Sequence, residues 1–205
     1  MKTVLPILLF VFSCQLRAQS GELWLSGGAS LLANGAIGSP SPDGSSSDVQ
    51  LGNGFRVGFR YGFNSAGHIG HEIQYMYNRT DFIDNTGMIL PEVGSAGTAI
   101  HQAGYNLLYY KRAAKEESRI RPFATVGFHL SDFVLPPSAG PQQGSSVRPG
   151  GNFGGGVKVK ISPLFAVRVD VREYVNGKPD WSGLLVHQGG ALFQTEVSAG
   201  FGVYF

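Results

Sequence analysis

The chain has 205 residues, one domain's worth, with 15% charged residues and a formal net charge of +2. That balance carries no electrostatic footprint for nucleic acid or for an acidic partner. The single cysteine, Cys14, excludes a disulfide scaffold and a thiolate metal site.

At the N-terminus, Lys2 precedes an almost wholly apolar run from Thr3 to Phe12, and small and polar residues follow from Ser13 to Ser20. This is the layout of a secretory signal peptide, and the run is too short to span a bilayer as a helix. Residues 1–20 are therefore expected to be a leader and 21–205 the mature domain, with cleavage after Ala18 or after Ser20 both fitting. Val11-Phe12-Ser13-Cys14 loosely resembles a lipobox, which Phe12 fits poorly.

Beyond the leader, segment after segment separates into two sets when read in steps of two. Gly21 to Leu32 does so loosely, with Leu23, Leu25, Ala29 and Leu31 on one side. Phe55, Val57, Phe59, Tyr61 and Phe63 then oppose Arg56, Gly58, Arg60 and Gly62, and Ile69, Ile73, Tyr75 and Tyr77 oppose Glu72, Gln74, Met76 and Asn78. Ala103, Tyr105, Leu107 and Tyr109 oppose Gln102, Gly104 and Asn106, whereas Arg121 to Phe133 has apolar residues on both parities. Val157, Val159 and Ile161 oppose Gly156, Lys158 and Lys160, and Phe165, Val167, Val169 and Val171 oppose Ala166, Arg168, Asp170 and Arg172. The last segment is the cleanest: Phe193, Thr195, Val197, Ala199, Phe201, Val203 and Phe205 share a face opposite Gln194, Glu196, Ser198, Gly200, Gly202 and Tyr204. A period of two sustained this often predicts eight β-strands with chemically distinct faces.

The connections add an independent pattern. Ala33–Gln50, Thr80–Ala96, Leu135–Gly150 and Asn176–Gly190 are long; Asn64–Gly67, Arg112–Arg119 and Ser162-Pro163 are short. Strict alternation predicts antiparallel strands whose ends lie in two compartments, as in a transmembrane barrel with short periplasmic turns and long outer loops. The Pro, Gly and Ser content of the long connections predicts mobility. A soluble lipocalin-type barrel also has eight strands. Its apolar face would point inward, however, and here glycine and charge share one face while large aromatics and branched aliphatics fill the other. Aromatics also gather at the strand ends, Tyr61, Phe63, Tyr109, Tyr110, Phe165 and Phe205 towards one rim and Tyr75, Tyr77, Phe133, Tyr174 and Trp181 towards the other, as interfacial girdles would.

The closing run Gly200-Phe201-Gly202-Val203-Tyr204-Phe205 resembles the C-terminal strand of outer-membrane barrels. Gly154-Gly155-Gly156-Val157-Lys158-Val159-Lys160, Ala166 to Tyr174, and Arg121-Pro122-Phe123 resemble strands of the OmpA-like transmembrane barrel family. The resemblance implies an all-β, eight-stranded antiparallel up-and-down transmembrane β-barrel in the bacterial outer membrane, monomeric and in contact with outer-membrane lipid. It also implies that Phe205 helps the barrel-assembly machinery recognise the chain. The residues that carry the resemblance belong to the barrel and to no peptidoglycan-binding domain, so a cell-wall anchoring role is not expected.

The polar parity directs Arg56, Arg60, Glu72, Lys158, Lys160, Arg168, Asp170, Arg172 and Glu196 towards the barrel axis. An eight-stranded barrel is only wide enough for side chains to fill, so these charges are expected to pair as an internal plug. A gated ion path lined by the same residues is the alternative. With three acids against six bases, some cations must reach water. His129-Leu130-Ser131-Asp132 superficially resembles the His-x-Ser pair of outer-membrane lipid A deacylases, but Asn does not follow the Ser and no Glu recurs before Glu173. His129 and Ser131 are expected at the rim, and the chain is expected not to be an enzyme. His68 and His71, three apart, fall on opposite strand faces, and Gly154–Gly156 lacks the Lys-Ser/Thr of a phosphate loop. No metal or cofactor is expected. The role expected is structural or surface-interacting, with a narrow small-solute channel and a lipid A-modifying enzyme as alternatives.

Overall fold

A computed structural model of the protein describes residues 20–65, 67–113, 118–140, 144–187 and 189–205. The expected leader, up to Gln19, lies outside the described residues. Eight long strands form the barrel: β1 (Ser20–Ala33), β4 (Gly54–Asn64), β5 (Ile69–Asp84), β6 (Ser95–Tyr110), β7 (Ile120–Val134), β8 (Ser145–Lys160), β9 (Phe165–Gly177) and β11 (Ala191–Tyr204). Each pairs antiparallel with its neighbours in the chain, and β1 pairs with both β4 and β11, so the sheet closes on itself.

Alternation sets which side chains meet the lumen. In β9, Ala166, Arg168, Asp170, Arg172, Tyr174 and Asn176 are buried while Phe165, Val167, Val169 and Val171 are exposed on the outer wall. The ambiguous β7 follows the same rule. Phe123, Thr125, His129, Ser131 and Phe133 face inward, and Val126, Phe128 and Leu130 face out. Its mixed parity has a local cause: Phe123 and Phe133 are apolar plugs at the two ends of the lumen.

Several inward glycines are demanded by close strand approach. A Cβ on Gly28 would lie 2.1 Å from the Val197 carbonyl oxygen, whereas one on the adjacent, outward Gly27 meets nothing nearer than 3.6 Å. Gly28→Ala is therefore expected to cost about 1–3 kcal/mol and Gly27→Ala less than about 0.5. Urea unfolding of the refolded variants reads the difference. The Gly154–Gly156 run makes room in the same way: a Cβ on Gly154 would crowd Arg172, and one on Gly156 would lie 2.8 Å from the Phe123 ring.

The strands outgrow a bilayer. Sixteen residues, as in β5, β6 and β8, rise roughly 40 Å at a tilt of about 40°, against an apolar band about 25 Å tall. The excess stands at the end bearing the long connections, and there the expectation of mobile loops is corrected. Three short strands, β2 (Ala36–Ser39), β3 (Val49–Leu51) and β10 (Val186–His187), extend the sheet from β5 in the order β5-β3-β2-β10. They tie the first long connection to the last. Beneath them Ile37, Val49, Leu51, Phe82, Leu90, Ile100, Phe133, Leu135, Trp181, Leu185 and Leu192 form a buried apolar cluster roofing the barrel. Composition pointed to disorder, but each loop contributes a few apolar side chains that only the folded roof brings together.

Asp84 fixes one of these loops. Its Oδ1 accepts from the Thr86 amide (2.9 Å) and hydroxyl (2.6 Å), and its Oδ2 from the Ile89 and Leu90 amides (both 2.8 Å). Asp84→Ala is expected to loosen residues 85–94 locally by about 1–3 kcal/mol. Faster amide exchange at Ile89 and Leu90, with the barrel amides unchanged, is the expected reading.

Candidate functional site

The lumen is filled from one end to the other, in layers. At the short-turn end lies an aromatic collar of Trp24, Tyr110 and Phe123. Lys158 is buried within it, bonded to Glu22 and to the Tyr110 hydroxyl (2.6 Å), with its Nζ 5.2 Å from the Trp24 ring centroid. Arg121 stacks over Tyr110 at 4.0 Å on the mouth side.

Above the collar, β5 and β9 stand opposite each other in the closed sheet, and their charges meet across the lumen. Arg168 grips Asp170 with Nε and Nη2 (2.6 and 2.7 Å) and donates Nη1 to Glu72 at 2.7 Å. Arg172 donates Nη2 to Glu72 (2.9 Å) and to Asp170 (3.1 Å). Arg60 extends the network, donating to Glu196 (2.5 Å) and Ser26 (2.9 Å) and standing 3.7 Å from Asp170. Glu196 also accepts from the Tyr174 hydroxyl at 2.8 Å. Pairing at this density is what unsolvated charges require.

Arg56 is the exception. Fully buried, it stacks on Tyr174 at 4.4 Å and stands 3.4 Å from Glu196, yet none of its three nitrogens donates a hydrogen bond. Higher still, neutral amides and hydroxyls take over. Gln102 donates across the lumen to Gln194 (2.9 Å) and to Ser131 (3.0 Å), and Gln194 donates to Ser30 (2.6 Å). The apolar roof closes this layer.

Of the nine charges expected inside, Arg56, Arg60, Glu72, Lys158, Arg168, Asp170, Arg172 and Glu196 are buried in the lumen. Lys160 is not. It keeps the inward parity of β8 but is the last residue of that strand, at the rim, and it is exposed, with Nζ 5.6 Å from the Tyr204 ring centroid. Sequence reasoning missed Glu22, although the outward Leu23 and Leu25 imply that Glu22 and Trp24 turn inward. With Glu22 added and Lys160 removed, five lumen cations face four carboxylates.

The aromatic girdles need a similar correction. Tyr110, Phe133, Tyr174 and Trp181 are buried in the lumen or its roof. His129 and Ser131 are also placed differently from expectation: both are buried in the barrel, not at its rim. Each bonds to Asn176 Oδ1, His129 Nε2 at 2.6 Å and the Ser131 hydroxyl at 2.8 Å, while Glu173 lies on the outer face and accepts from Thr195 (2.6 Å). Phe205 exchanges backbone bonds with Gly21 (2.9 and 3.0 Å) and stacks on Tyr61 at 6.0 Å, across the β11–β1–β4 seam.

Comparison with solved structures returns the same architecture. The chain is similar to neisserial surface protein A, NspA, at 16% identity and a TM-score of 0.55, covering 91% of this chain and 97% of that one. It is similar to OprG of Pseudomonas aeruginosa at 13% identity and a TM-score of 0.52, covering 92% and 97%. It is also similar to Ail, the attachment invasion locus protein of Yersinia pestis, solved with the heparin analogue sucrose octasulfate, at 12% identity and a TM-score of 0.51, covering 92% and 99%. No curated protein matches the chain in sequence. The family model described as "outer membrane protein beta-barrel domain" matches residues 7–205. The chain belongs to that family, and its place is the bacterial outer membrane.

Proposed function

We propose that the protein is a closed, non-conducting barrel whose ordered outer roof serves surface interaction. The observation that carries this reading is the buried apolar cluster tied together by β2, β3 and β10 above a lumen already filled by ion pairs. Water-filled conduction needs a continuous polar path, and a roof containing Phe82, Phe133, Trp181 and Leu192 interrupts one. Planar bilayer recordings test this. Purified protein is expected to give no steady conductance, and a large ohmic conductance would overturn the reading.

Charge narrows the partner. At the outer end Asp43, Asp81 and Glu92 are exposed, Asp180 is paired with the half-exposed Arg148 at 3.2 Å, and Arg79 is the fully exposed cation among the described residues. That sign favours a cationic or neutral partner and disfavours a sulfated polyanion of the kind bound to Ail. The same reading assigns no catalysis. What supports this is that His129 and Ser131 share one amide acceptor and Glu173 faces the other side of the wall, so no base-and-acid relay converges on the hydroxyl. Loss of a lipid A acyl chain on expression, abolished by Ser131→Ala, would contradict it.

A narrow small-solute path is the second reading. It is favoured by the buried polar atoms of Arg56, Asn78 and Asn152 in the lumen that have no hydrogen-bond partner.

A further inference from the structure

At the short-turn end, charge is one-sided. Lys111 and Arg112 open the turn after β6, Arg119 closes it and Lys160 ends β8; all four are exposed. The Lys160 amide donates to the Arg119 carbonyl at 2.7 Å, which sets these two cations on neighbouring strands. Arg112 donates to Ser118 Oγ and, at 3.5 Å, to the Ile120 carbonyl, which braces the turn. Among the described residues, the side-chain carboxylate of this end is Glu22, which is buried and paired with Lys158, and beside it stands the α-carboxylate of Phe205, whose backbone pairs with Gly21. Residues 114–117 lie outside the described residues. Even with them, the stretch 111–121 carries five cations against two carboxylates.

Apolar side chains sit beside these cations where a water-facing rim would not put them. Ile161 and Leu164, 63% and 57% exposed, occupy the tight turn itself, next to Lys160. Ile120 and Tyr109 flank Arg119 and Lys111 in the same way. Apolar groups directed to hydrocarbon, with lysine and arginine heads one to four residues away, are the pattern of a surface lying in the headgroup layer. Short turns of such barrels face the periplasm. We propose that this rim binds the phosphates of anionic phospholipids in the inner leaflet, with Lys111, Arg119 and Lys160 as the main contacts. Opposite charge close to a membrane surface is attracted within a Debye length, so the interaction is salt-sensitive.

The test compares the wild type with K111Q/R119Q/K160Q, refolded into phosphatidylcholine vesicles with and without phosphatidylglycerol of the same acyl chains. The midpoint of the heat-modifiable gel shift is read at low and high salt. Phosphatidylglycerol is expected to raise the wild-type midpoint by several degrees at low salt, and the triple variant is expected to lose most of that gain. K111R/K160R is expected to keep it. Because the readout is the difference between two lipids, a general loss of stability in a variant cancels. No lipid preference in the wild type, or an undiminished one in the triple variant, would overturn the proposal. So would an equal gain from soluble polyglutamate, which would point to a polymer and not a headgroup.

Discussion

Glu72→Gln is expected to destabilise the folded barrel by about 3–5 kcal/mol, the usual cost of removing one partner from a buried ion pair. Glu72 accepts from Arg168 (2.7 Å), Arg172 (2.9 Å) and Asn106 (3.2 Å), and Arg60 stands 3.8 Å away. Glutamine keeps the volume but removes the charge, so three guanidinium groups would share Asp170 in a lumen already one carboxylate short. Arg56→Met is the contrasting variant. Arg56 donates no hydrogen bond, and its removal brings the lumen to four cations against four carboxylates. Its expected cost, from the lost stacking on Tyr174 and the 3.4 Å approach to Glu196, is less than about 1.5 kcal/mol. Urea titration of protein refolded in vesicles, followed by gel shift, measures both. Equal costs would mean that the network is not what distinguishes these two buried charges.

Trp181→Ala is the second large effect, and its character is local. Trp181 is buried in the roof and packs on Phe82 at 5.8 Å between ring centroids. Removing it from a packed cluster costs about 3–5 kcal/mol. The β10–β2 link consists of two residue pairs and cannot absorb that loss. Residues 34–53 and 178–190 are therefore expected to become protease-sensitive on intact cells. The eight-stranded barrel below pairs independently of the roof, so its heat-modifiable shift is expected to stay. Loss of the whole fold would show that roof and barrel are one cooperative unit.

The legible and the hidden parts of this fold differ for physical reasons. Alternation with a period of two fixes side-chain direction wherever one face meets apolar surroundings and the other a polar lumen, which is why β4, β9 and β11 read cleanly. Direction is not height, however. Lys160 has the inward parity of Lys158 but ends β8 at the rim, where its head is exposed, and nothing in the alternation marks that height. Phe123, Phe133 and Tyr110 blur the pattern because the two ends of the lumen are apolar or aromatic while its middle is ionic. The roof was hidden altogether. Ile37, Val49, Leu90, Leu135 and Trp181 are scattered through Gly- and Pro-rich connections with no period, and only the tertiary fold gathers them. Cross-lumen pairings such as Arg168 with Glu72 are likewise set by barrel closure, which places β5 opposite β9.

Hydrogen exchange of the protein in lipid vesicles tests the roofed barrel most directly. Within the roof, Leu51 donates to the Gly35 carbonyl at 2.8 Å and Gly38 to the Ser46 carbonyl at 3.2 Å, and β2 is paired on both sides. Amides of β2 and β3 are expected to exchange far more slowly than free loop residues, and Trp181→Ala is expected to abolish this protection while β4 and β9 keep theirs. Exchange of β2 and β3 at unprotected rates in the wild type would contradict the roofed barrel.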